Sequence, residues 1–203
     1  SVNGHLQSFG FLKNRLMHIF LYASMTRELS DSEVRKLGGE PSWGAAPANP
    51  FGSSVRKICG TGGHRILVRN KFHFSSSLEA SEHHIKKTVR DHDRSFQRRF
   101  PMLEDVEMEY RWGGRLCLSR NGVPVFGEIE KGLFAACCQN GLGASKGTLA
   151  GILAAEHACG YENPYIEDHI NEAQPTRLPP EPFATIGATV YLNWQEWRAG
   201  LEK

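Results

Sequence analysis

The sequence predicts an α+β chain built on an antiparallel or mixed sheet. Residues 55–59 and 65–74 alternate apolar and polar side chains on either side of a glycine-bearing turn, which indicates two paired strands. The clearest helix follows at 78–100, where apolar residues recur on one face until Pro101 ends the run. A buried strand, a glycine turn and an Ala/Gly-rich helix then occupy 133–158, so strands and helices are mixed along the chain.

The first part of the chain predicts one long strand and one short helix. Residues 15–26 have strand character. Ser30 or Asp31 is expected to cap the helix, because the side-chain oxygen of either can accept a hydrogen bond from backbone N–H groups of the first turn. The helix is expected to stop at Gly38-Gly39. Residues 40–54 are rich in Pro, Gly, Ala and Ser and predict a loop.

The elements after the long helix are shorter. Residues 106–110 and 116–119 predict strands, separated by a turn at Trp112-Gly113-Gly114. A short apolar strand that contains a proline is expected at 123–127. Residues 161–182 carry several prolines and predict surface chain, after which the sequence ends in an amphipathic segment rich in aromatic residues.

Composition limits the classes of function. The 203 residues can bury a sizeable core, and 24 basic against 22 acidic residues give a net charge of +2, which argues against general nucleic-acid binding. No run is long and apolar enough to predict a membrane span. The five cysteines are odd in number and lie mostly in apolar runs, which indicates reduced, buried thiols in a cytoplasmic protein.

The segment from the buried strand at 133–138 to the helix end near Ala158 carries the strongest functional signal. Asn140-Gly141-Leu142-Gly143 joins the two elements. A glycine turn at a helix N-terminus lets backbone N–H groups approach a ligand, and the helix dipole favours electron-rich groups there. The helix also carries a stripe of small residues, which suits close packing on a sheet or on a flat ligand. This small-residue stripe consists of Ala144, Thr148, Gly151, Ala155 and Ala158.

Three motifs occur in an order that resembles one enzyme family. A W-x-G motif ends at Gly114, a P-x-x-G segment runs from Pro124 to Gly127, and a G-x-G turn follows at Gly141 and Gly143. This order is similar to the C-terminal part of the FAD-dependent amine and amino-acid oxidoreductases of the D-amino-acid oxidase type. That family includes glycine oxidase, sarcosine oxidase and the γ-glutamylputrescine oxidase group.

The resemblance implies a substrate-binding sheet joined to the closing strand and helix of an FAD-binding Rossmann-like domain. The implied boundaries are 1–14 for the end of an FAD-domain segment, 15–120 for the substrate-binding domain, 121–160 for the closing strand and helix, and 161–203 for a C-terminal extension. The family's N-terminal G-x-G-x-x-G turn has no counterpart, because Gly60-Thr61-Gly62-Gly63 has the wrong spacing. We therefore expect a fragment that is inactive alone and needs the missing N-terminal half, in cis or as another chain.

The implied cofactor is FAD, and the implied reaction is hydride transfer to it from the C–N bond of an amine or amino acid. The resemblance assigns these residues to cofactor binding: Trp112, Gly113, Gly114, Cys117, Pro124, Gly141, Leu142, Gly143 and Ala144. Cys117 lies close to the position of a covalent flavin link in sarcosine oxidase, although a small buried thiol is the commoner role of such a cysteine. No side chain is evident as a catalytic base.

Three basic residues are candidates for holding the substrate. Arg65 and Arg69 lie on a strand that resembles the family's G-R-x-L-x-G-G-R segment, and a guanidinium can bind a substrate carboxylate through two parallel hydrogen bonds. An exposed strand arginine is an equally good interpretation of each. Lys146 lies in the first turn of its helix, where the dipole disfavours a cation, and could reach the flavin or a substrate anion. Both an amino acid and a carboxylate-free amine remain open as substrates.

The long helix carries histidines and a basic run without an evident site. His83, His84 and His92 are expected to be solvated, and no metal site is predicted, because the nearest helical pair is two turns apart. The basic residues between 86 and 99 could contact nucleic acid. The two interspersed aspartates favour a solvated helix face instead.

Two alternatives from other functional classes remain. One is a non-catalytic α+β interaction module that has lost the cofactor. The other is an unrelated α+β binding protein whose glycine turn caps some other anion. Yellow flavin bound to the purified complete protein separates the oxidoreductase interpretation from both.

Overall fold

The structure is a computed structural model that describes residues 2–75, 79 and 81–202. It is a mixed α+β fold with an antiparallel sheet, which confirms the predicted fold class at that level. The chain divides into two compact units. The first comprises residues 1–19, 74–78 and 115–187, and the second comprises 20–73, 79–114 and 188–203.

The described residues form strands and α-helices in a mixed order. The strands are β1 (Leu16–Thr26), β2 (Trp43–Ala45), β3 (Ser54–Gly60), β4 (Gly63–Phe74), β5 (Met108–Ser119), β6 (Val125–Glu130) and β7 (Leu133–Cys137). The helices are α1 (Asp31–Leu37), α2 (Glu82–Arg99), α3 (Gly143–Ala158), α4 (Pro164–Asn171) and α5 (Phe183–Ala199). One sheet has the strand order β2-β3-β4-β1-β5, and β6 pairs with β7 in a separate antiparallel sheet.

Strands β3 and β4 form the predicted hairpin. Their antiparallel register pairs Ser54 with Arg69 and Gly60 with Gly63, so that the turn itself is Thr61-Gly62. Gly63 has a φ of 73°, a left-handed conformation that glycine adopts without a steric penalty. The turn is therefore tighter than the sequence suggests, and both strands extend further towards it.

Helix α1 begins where the sequence predicts, and the structure identifies Ser30 as its N-cap. The Ser30 hydroxyl accepts a hydrogen bond from the Glu33 backbone N–H, and the Glu33 carboxylate accepts one from the Ser30 N–H at 2.7 Å, which is a capping box. Hydrogen bonds from Arg27 lower the pKa of the Glu33 carboxyl to about 2. Gly38 ends the helix with a φ of 64°.

The core of the second unit joins α2 to the β3–β4 hairpin. Phe96 and Phe100 lie one helical turn apart, with ring centroids 5.3 Å from each other, and cluster with Val55, Ile66 and Val68. Burying a side chain of this size stabilises a fold by about 1.5–3 kcal/mol. The same cluster contains Leu29, Leu103 and Val106. These contacts anchor α2 along its apolar face.

The prediction that His92 is solvated was wrong, because its side chain is fully buried. Its Nδ1 lies 2.6 Å from the Ser24 hydroxyl oxygen, and its Nε2 lies 3.4 Å from the Asn70 carbonyl oxygen. Burial lowers the pKa of His92 and so favours the neutral imidazole. Position 92 lies one turn before Phe96 and shares the face that packs on the core, which the polarity of histidine conceals in the sequence.

Two predicted irregular segments are in fact strands. Trp112-Gly113-Gly114 is not a turn, because β5 runs continuously through all three residues. Glycine also adopts the extended conformation, so a glycine pair does not by itself enforce a turn. The predicted loop at 40–54 contains β2, which pairs antiparallel with β3.

One helix was not predicted, and another begins later than predicted. The predicted surface chain at 161–182 contains α4, which has a proline at its first position. The Asn163 side chain caps α4 by accepting a hydrogen bond from the Tyr165 N–H at 3.0 Å. The long helix predicted from Leu78 begins at Glu82, and Leu78 lies outside the described residues.

The first unit contains the β6–β7 hairpin together with α3 and α4. Val125 pairs with Cys137 and Glu128 pairs with Phe134, and β6 begins directly after Pro124. Proline cannot donate a hydrogen bond to the ladder, which explains why it lies outside the strand. The buried residues of this core are Leu6, Leu16, Cys117, Val125, Ala135, Cys137 and Cys138.

Candidate functional site

The chain between β7 and α3 takes an unusual backbone path. Cys138, Asn140 and Gly141 have φ values of 58°, 51° and 88°, all in the left-handed region. The Asn140 side chain supports this path, because its Oδ1 accepts a hydrogen bond from the Ser119 N–H at 2.8 Å and its Nδ2 donates to the Gly122 carbonyl at 2.9 Å. Left-handed non-glycine residues cost on the order of 1–3 kcal/mol each and cluster at ligand-contacting turns.

A cavity of about 410 Å³ lies against this turn and is called the turn cavity below. It brings together three of the residues assigned to cofactor binding, namely Cys117, Gly141 and Gly143. Leu142 and Ala144 belong to the same turn and helix start, and both are exposed. A Cβ atom built on Gly143 meets nothing within 4 Å. The described chain itself therefore places no steric demand for glycine at this position.

Gln139 also lines the turn cavity, and sequence reasoning missed it. Its Nε2 atom is buried and has no hydrogen-bond partner among the residues that the structure describes. An unpaired buried donor of this kind costs about 1–3 kcal/mol, so the site fits a ligand that presents an acceptor there. The sequence offers only a polar residue beside a glycine turn, which is also what an ordinary turn contains.

Helix α3 begins at the turn cavity without a side-chain cap, since its N-cap residue is Leu142. The backbone N–H groups of its first turn therefore have no capping side chain to accept their hydrogen bonds. All members of the small-residue stripe are exposed, whereas Ala150 and Leu153 on the opposite side of the helix are each 2% exposed. The stripe is thus free to receive a flat apolar group.

Three cysteines cluster beside the turn cavity. Cys117, Cys137 and Cys138 are buried whereas Cys59 and Cys159 are exposed, so the predicted burial is confirmed for three of the five. A hydrogen bond to Cys138, together with burial, raises the pKa of Cys117, and burial raises the pKa of Cys137 to about 12. Because the thiolate is the reactive form of cysteine, this environment favours a packing role for Cys117 over a covalent flavin link.

The other residues assigned to cofactor binding are not in the turn cavity. Pro124 lines a separate cavity of about 620 Å³, together with His157 and His169. Trp112-Gly113-Gly114 belongs to the part of β5 that lies in the second unit. Within the first unit, the geometry therefore gathers the glycine turn with Cys117 and leaves Pro124 apart.

Arg65 is already engaged by its own unit. Its guanidinium donates hydrogen bonds to the Thr26 carbonyl at 2.8 Å and to the Gly62 carbonyl at 3.0 Å. It also pairs with the Glu109 carboxylate, which raises the pKa of Arg65, and it lies 5.2 Å from the centre of the Tyr110 ring. These partners leave few of its donors for a substrate carboxylate.

Arg69 has fewer partners. It follows Arg65 by four residues on β4, so the two share the sheet face opposite the buried Ile66 and Val68. Its guanidinium is half-buried, donates to the Ser54 hydroxyl at 2.7 Å and has no carboxylate partner among the described residues. Burial lowers the pKa of Arg69, a cost that a bound anion would offset.

The remaining candidates give no evident site. Lys146 is exposed in the first turn of α3. Among residues 2–75, 79 and 81–202, no group of three His, Cys, Asp or Glu side chains is placed to hold a metal ion. His83 is exposed, and the ring of His84 stacks on that of His73 with centroids 3.8 Å apart. No helix within those ranges is both long and apolar enough to cross a membrane.

Sequence comparison gives a family and one curated relative. The family model described as FAD dependent oxidoreductase matches residues 15–157. The protein named Probable oxidoreductase OrdL, from Haemophilus influenzae, is 36% identical over 61 residues. That match covers 30% of this chain and 14% of the relative.

Solved structures share the fold at low sequence identity. Glycine oxidase from Geobacillus kaustophilus has a TM-score of 0.58 at 19% identity, and the match covers 78% of this chain and 39% of the oxidase. L-proline dehydrogenase from P. horikoshii has a TM-score of 0.56 at 15% identity, with 83% and 44% covered. The chain thus spans less than half the length of either protein. Because the family model matches more than half of its residues, this chain belongs to the FAD-dependent oxidoreductase family.

Proposed function

We propose that this chain is the substrate-binding part, with the closing strand and helix of the FAD domain, of a flavoprotein that oxidises the C–N bond of an amine or amino acid. In this proposal residues 15–120 bind substrate and residues 121–160 close the FAD-binding domain. Residues 1–14 end another segment of that domain, and 161–203 form an extension. A pyrophosphate-binding segment, in the same protein or on another chain, completes the cofactor site.

The turn cavity is the observation that carries the proposal. It combines the unpaired donor of Gln139, the uncapped start of α3 at Leu142 and the exposed small-residue stripe. A flavin ring is flat, has apolar faces and carries electron-rich carbonyl groups at one edge. The exposed small-residue stripe matches the flat, apolar face, and the Gln139 donor and the uncapped helix start match the electron-rich edge. Ordinary helix–sheet packing requires none of these three features.

Bound FAD supplies the acceptor for the hydride that leaves the substrate carbon. In this proposal the residues of this chain bind the flavin and orient it. Gln139, which lines the cavity, has an unpaired amide donor, and the first-turn N–H groups of α3 attract partial negative charge. The small-residue stripe allows close approach and keeps water from one face. No side-chain base is assigned, and an amine that binds in its neutral form needs none.

The family and Arg69 both support the proposed substrate class. Two of the structural relatives are named for action on glycine and on L-proline, which supports an amino acid or a related amine as substrate. Of the predicted clamp residues, Arg69 fits better than Arg65, because Arg65 already has a carboxylate partner in Glu109. Lys146 remains a candidate for an anionic group near the start of α3.

Gly143→Val in the complete protein tests the cofactor site. A Cβ atom at this position meets nothing within 4 Å in the described chain, so the fold should survive while bound flavin falls at least tenfold, measured from its absorbance. Gly60→Val is the matched control, since that position also has open space around it and lies in the β3–β4 hairpin. A folded Gly143→Val variant with full flavin content would contradict the proposal. A complete wild-type protein without flavin would instead support the interaction-module alternative.

Arg69→Met tests the substrate clamp on a panel of D- and L-amino acids, N-methyl amino acids and polyamines. Loss of a charge-assisted partner costs about 1.5–3 kcal/mol, so KM for carboxylate substrates should rise roughly ten- to a hundredfold. Arg65→Met is the comparison variant, and we expect a smaller rise because Arg65 serves its own unit. Unchanged KM for every carboxylate substrate in both variants would remove the clamp and favour a carboxylate-free amine.

A further inference from the structure

We propose that α2 presents a docking surface for an acidic protein, formed by a row of cations on its exposed face. The row, called the basic stripe below, consists of Lys86, Arg90, Arg94 and Arg98. All four side chains are exposed. They are spaced four residues apart, so they follow one side of the helix over about 18 Å. This surface is independent of the flavin site.

The aspartates that could neutralise the basic stripe are committed elsewhere. Asp91 pairs at 2.9 Å with Lys71, which also pairs with the buried Glu196 at 3.0 Å, and Asp93 pairs with Arg111 at 2.7 Å. In the sequence these two acids alternate with the basic residues and suggest a balanced, solvated face. In the structure they form ion pairs with cations on β4 and β5 instead. The stripe therefore keeps its positive charge.

The basic stripe also receives little compensation from its own helix. Glu82 lies 3.7 Å from Lys86, but both side chains are largely exposed, and such pairs contribute little. Arg90, Arg94 and Arg98 have no ion pair within the described part of the chain. Like charges four residues apart destabilise a helix, so the row costs stability in its own unit. A partner that supplies carboxylates to the stripe would offset this cost.

The composition of the stripe favours carboxylates as its ligands. Three of its four members are arginines, whose planar guanidinium binds a carboxylate through two parallel hydrogen bonds. A protein that presents a row of Asp or Glu side chains would satisfy all four cations at once. Opposite charge on the two surfaces would also speed their encounter at low ionic strength.

Two other classes of polyanion fit less well. Single-stranded nucleic acid is usually bound by aromatic side chains beside the cations, but Phe96, the one aromatic residue between Lys86 and Arg98, is buried in the core. A helix that lies on a membrane inserts an apolar face, and the apolar face of α2 is occupied by contacts of Phe96 and Phe100 with its own unit. Nucleic acid and membrane vesicles are therefore included as alternative ligands in the test.

Binding of a labelled oligoglutamate peptide to the complete protein, measured at several salt concentrations, tests the surface. The stripe variant carries Arg90→Glu, Arg94→Glu and Arg98→Glu, and we expect at least a tenfold loss of affinity. The control carries Arg35→Glu, Lys36→Glu and Arg56→Glu, which change net charge equally at exposed positions of the same unit. We expect less than a threefold loss there. Equal losses, or tighter stripe-dependent binding of oligothymidylate or phosphatidylserine vesicles, would overturn the proposal.

Arg94→Glu alone separates docking from a structural role. The new carboxylate lies one turn from both Arg90 and Arg98, so it replaces two repulsive pairs by two attractive ones. We expect the melting temperature to rise by about 1–3 °C while oligoglutamate affinity falls at least threefold. Arg94→Gln should give intermediate values of both. A lower melting temperature for Arg94→Glu would show that the stripe serves the fold and would overturn the proposal.

Discussion

Helix α2 packs its apolar face into a core, whereas helix α3 leaves part of its apolar surface exposed. In α2, Phe96 and Phe100 are buried in the core of the second unit, and even His92 on that side is fully enclosed. In α3, Leu149 and Ile152 are 46% and 53% exposed, and the small-residue stripe beside them is exposed as well. Only the opposite side of α3 is buried.

Phe96 and Phe100 are thus covered by their own unit, whereas one apolar face of α3 is exposed. Phe96 on α2 and its C-cap residue Phe100 are buried in the core of their own unit, and the four cations of the basic stripe are exposed. The exposed face of α3 follows a glycine turn and borders the turn cavity, which is lined by Gln139 with its unpaired amide donor. In the function proposed above, α2 stabilises its own unit and α3 contributes to the cofactor site.

The largest expected effects compare a core residue of α2 with an exposed one of α3. Phe96→Ala should lower the free energy of unfolding of the complete protein by about 3–5 kcal/mol, because it leaves a cavity in a packed core. Ile152→Ala should cost about 2 kcal/mol or more there, since we expect that face to be covered in the complete protein. Chemical denaturation measures both. A cost below about 0.5 kcal/mol for Ile152→Ala would mean that the face stays exposed.

A smaller effect concerns Gln139, whose buried amide donor has no hydrogen-bond partner among the described residues. Gln139→Leu removes the unpaired buried donor, so the stability of the flavin-free protein should stay equal or rise. Its flavin affinity should fall roughly tenfold, because one hydrogen bond to the ligand is lost. Titration of the flavin-stripped protein with FAD measures the change. Asn121→Leu, at an exposed loop position, is the control and should leave the affinity unchanged.

The smallest effect concerns His92 on α2, whose two ring nitrogens both have hydrogen-bond partners. The pKa of His92 is lowered in the folded state, mainly by burial, so below pH 6.5 the unfolded chain binds a proton that the folded imidazole resists. Its contribution to stability is therefore complete above pH 6.5 and declines as the pH falls below that value. The slope is at most about 1.4 kcal/mol per pH unit. His92→Gln should flatten the measured dependence between pH 7 and pH 5, whereas His83→Gln at an exposed position should not.

Much of the fold could be predicted because the relevant signals are local. The capping oxygen of Ser30, the alternation on either side of Thr61-Gly62 and the glycine turn before α3 each act within a few residues. They placed α1, the β3–β4 hairpin and α3 correctly. The prediction of a turn at Trp112-Gly113-Gly114 was wrong, because a glycine pair is compatible with both a turn and a strand. Only pairing within the sheet decides between them.

The candidate site could be predicted only in part, because its properties depend on tertiary contacts. Gly141 and Gly143 were predicted from their order in the sequence, and both line the turn cavity. The unpaired Nε2 of Gln139 could not be foreseen, since burial and the lack of a partner arise only in the folded chain. The ion pairs of Asp91 and Asp93 with residues of other elements could not be foreseen for the same reason. The net charge on the exposed face of α2 therefore could not be predicted either.

Hydrogen–deuterium exchange of the complete protein, with FAD removed and then restored, tests the cofactor role of α3 most directly. We expect the backbone amides at 143–145 to exchange at least tenfold more slowly when FAD is bound, because their N–H groups then have a partner. The amides of α2 between 88 and 96 provide the internal control and should not change. Unchanged exchange at 143–145, or equal slowing in both helices, would contradict a flavin site at the start of α3.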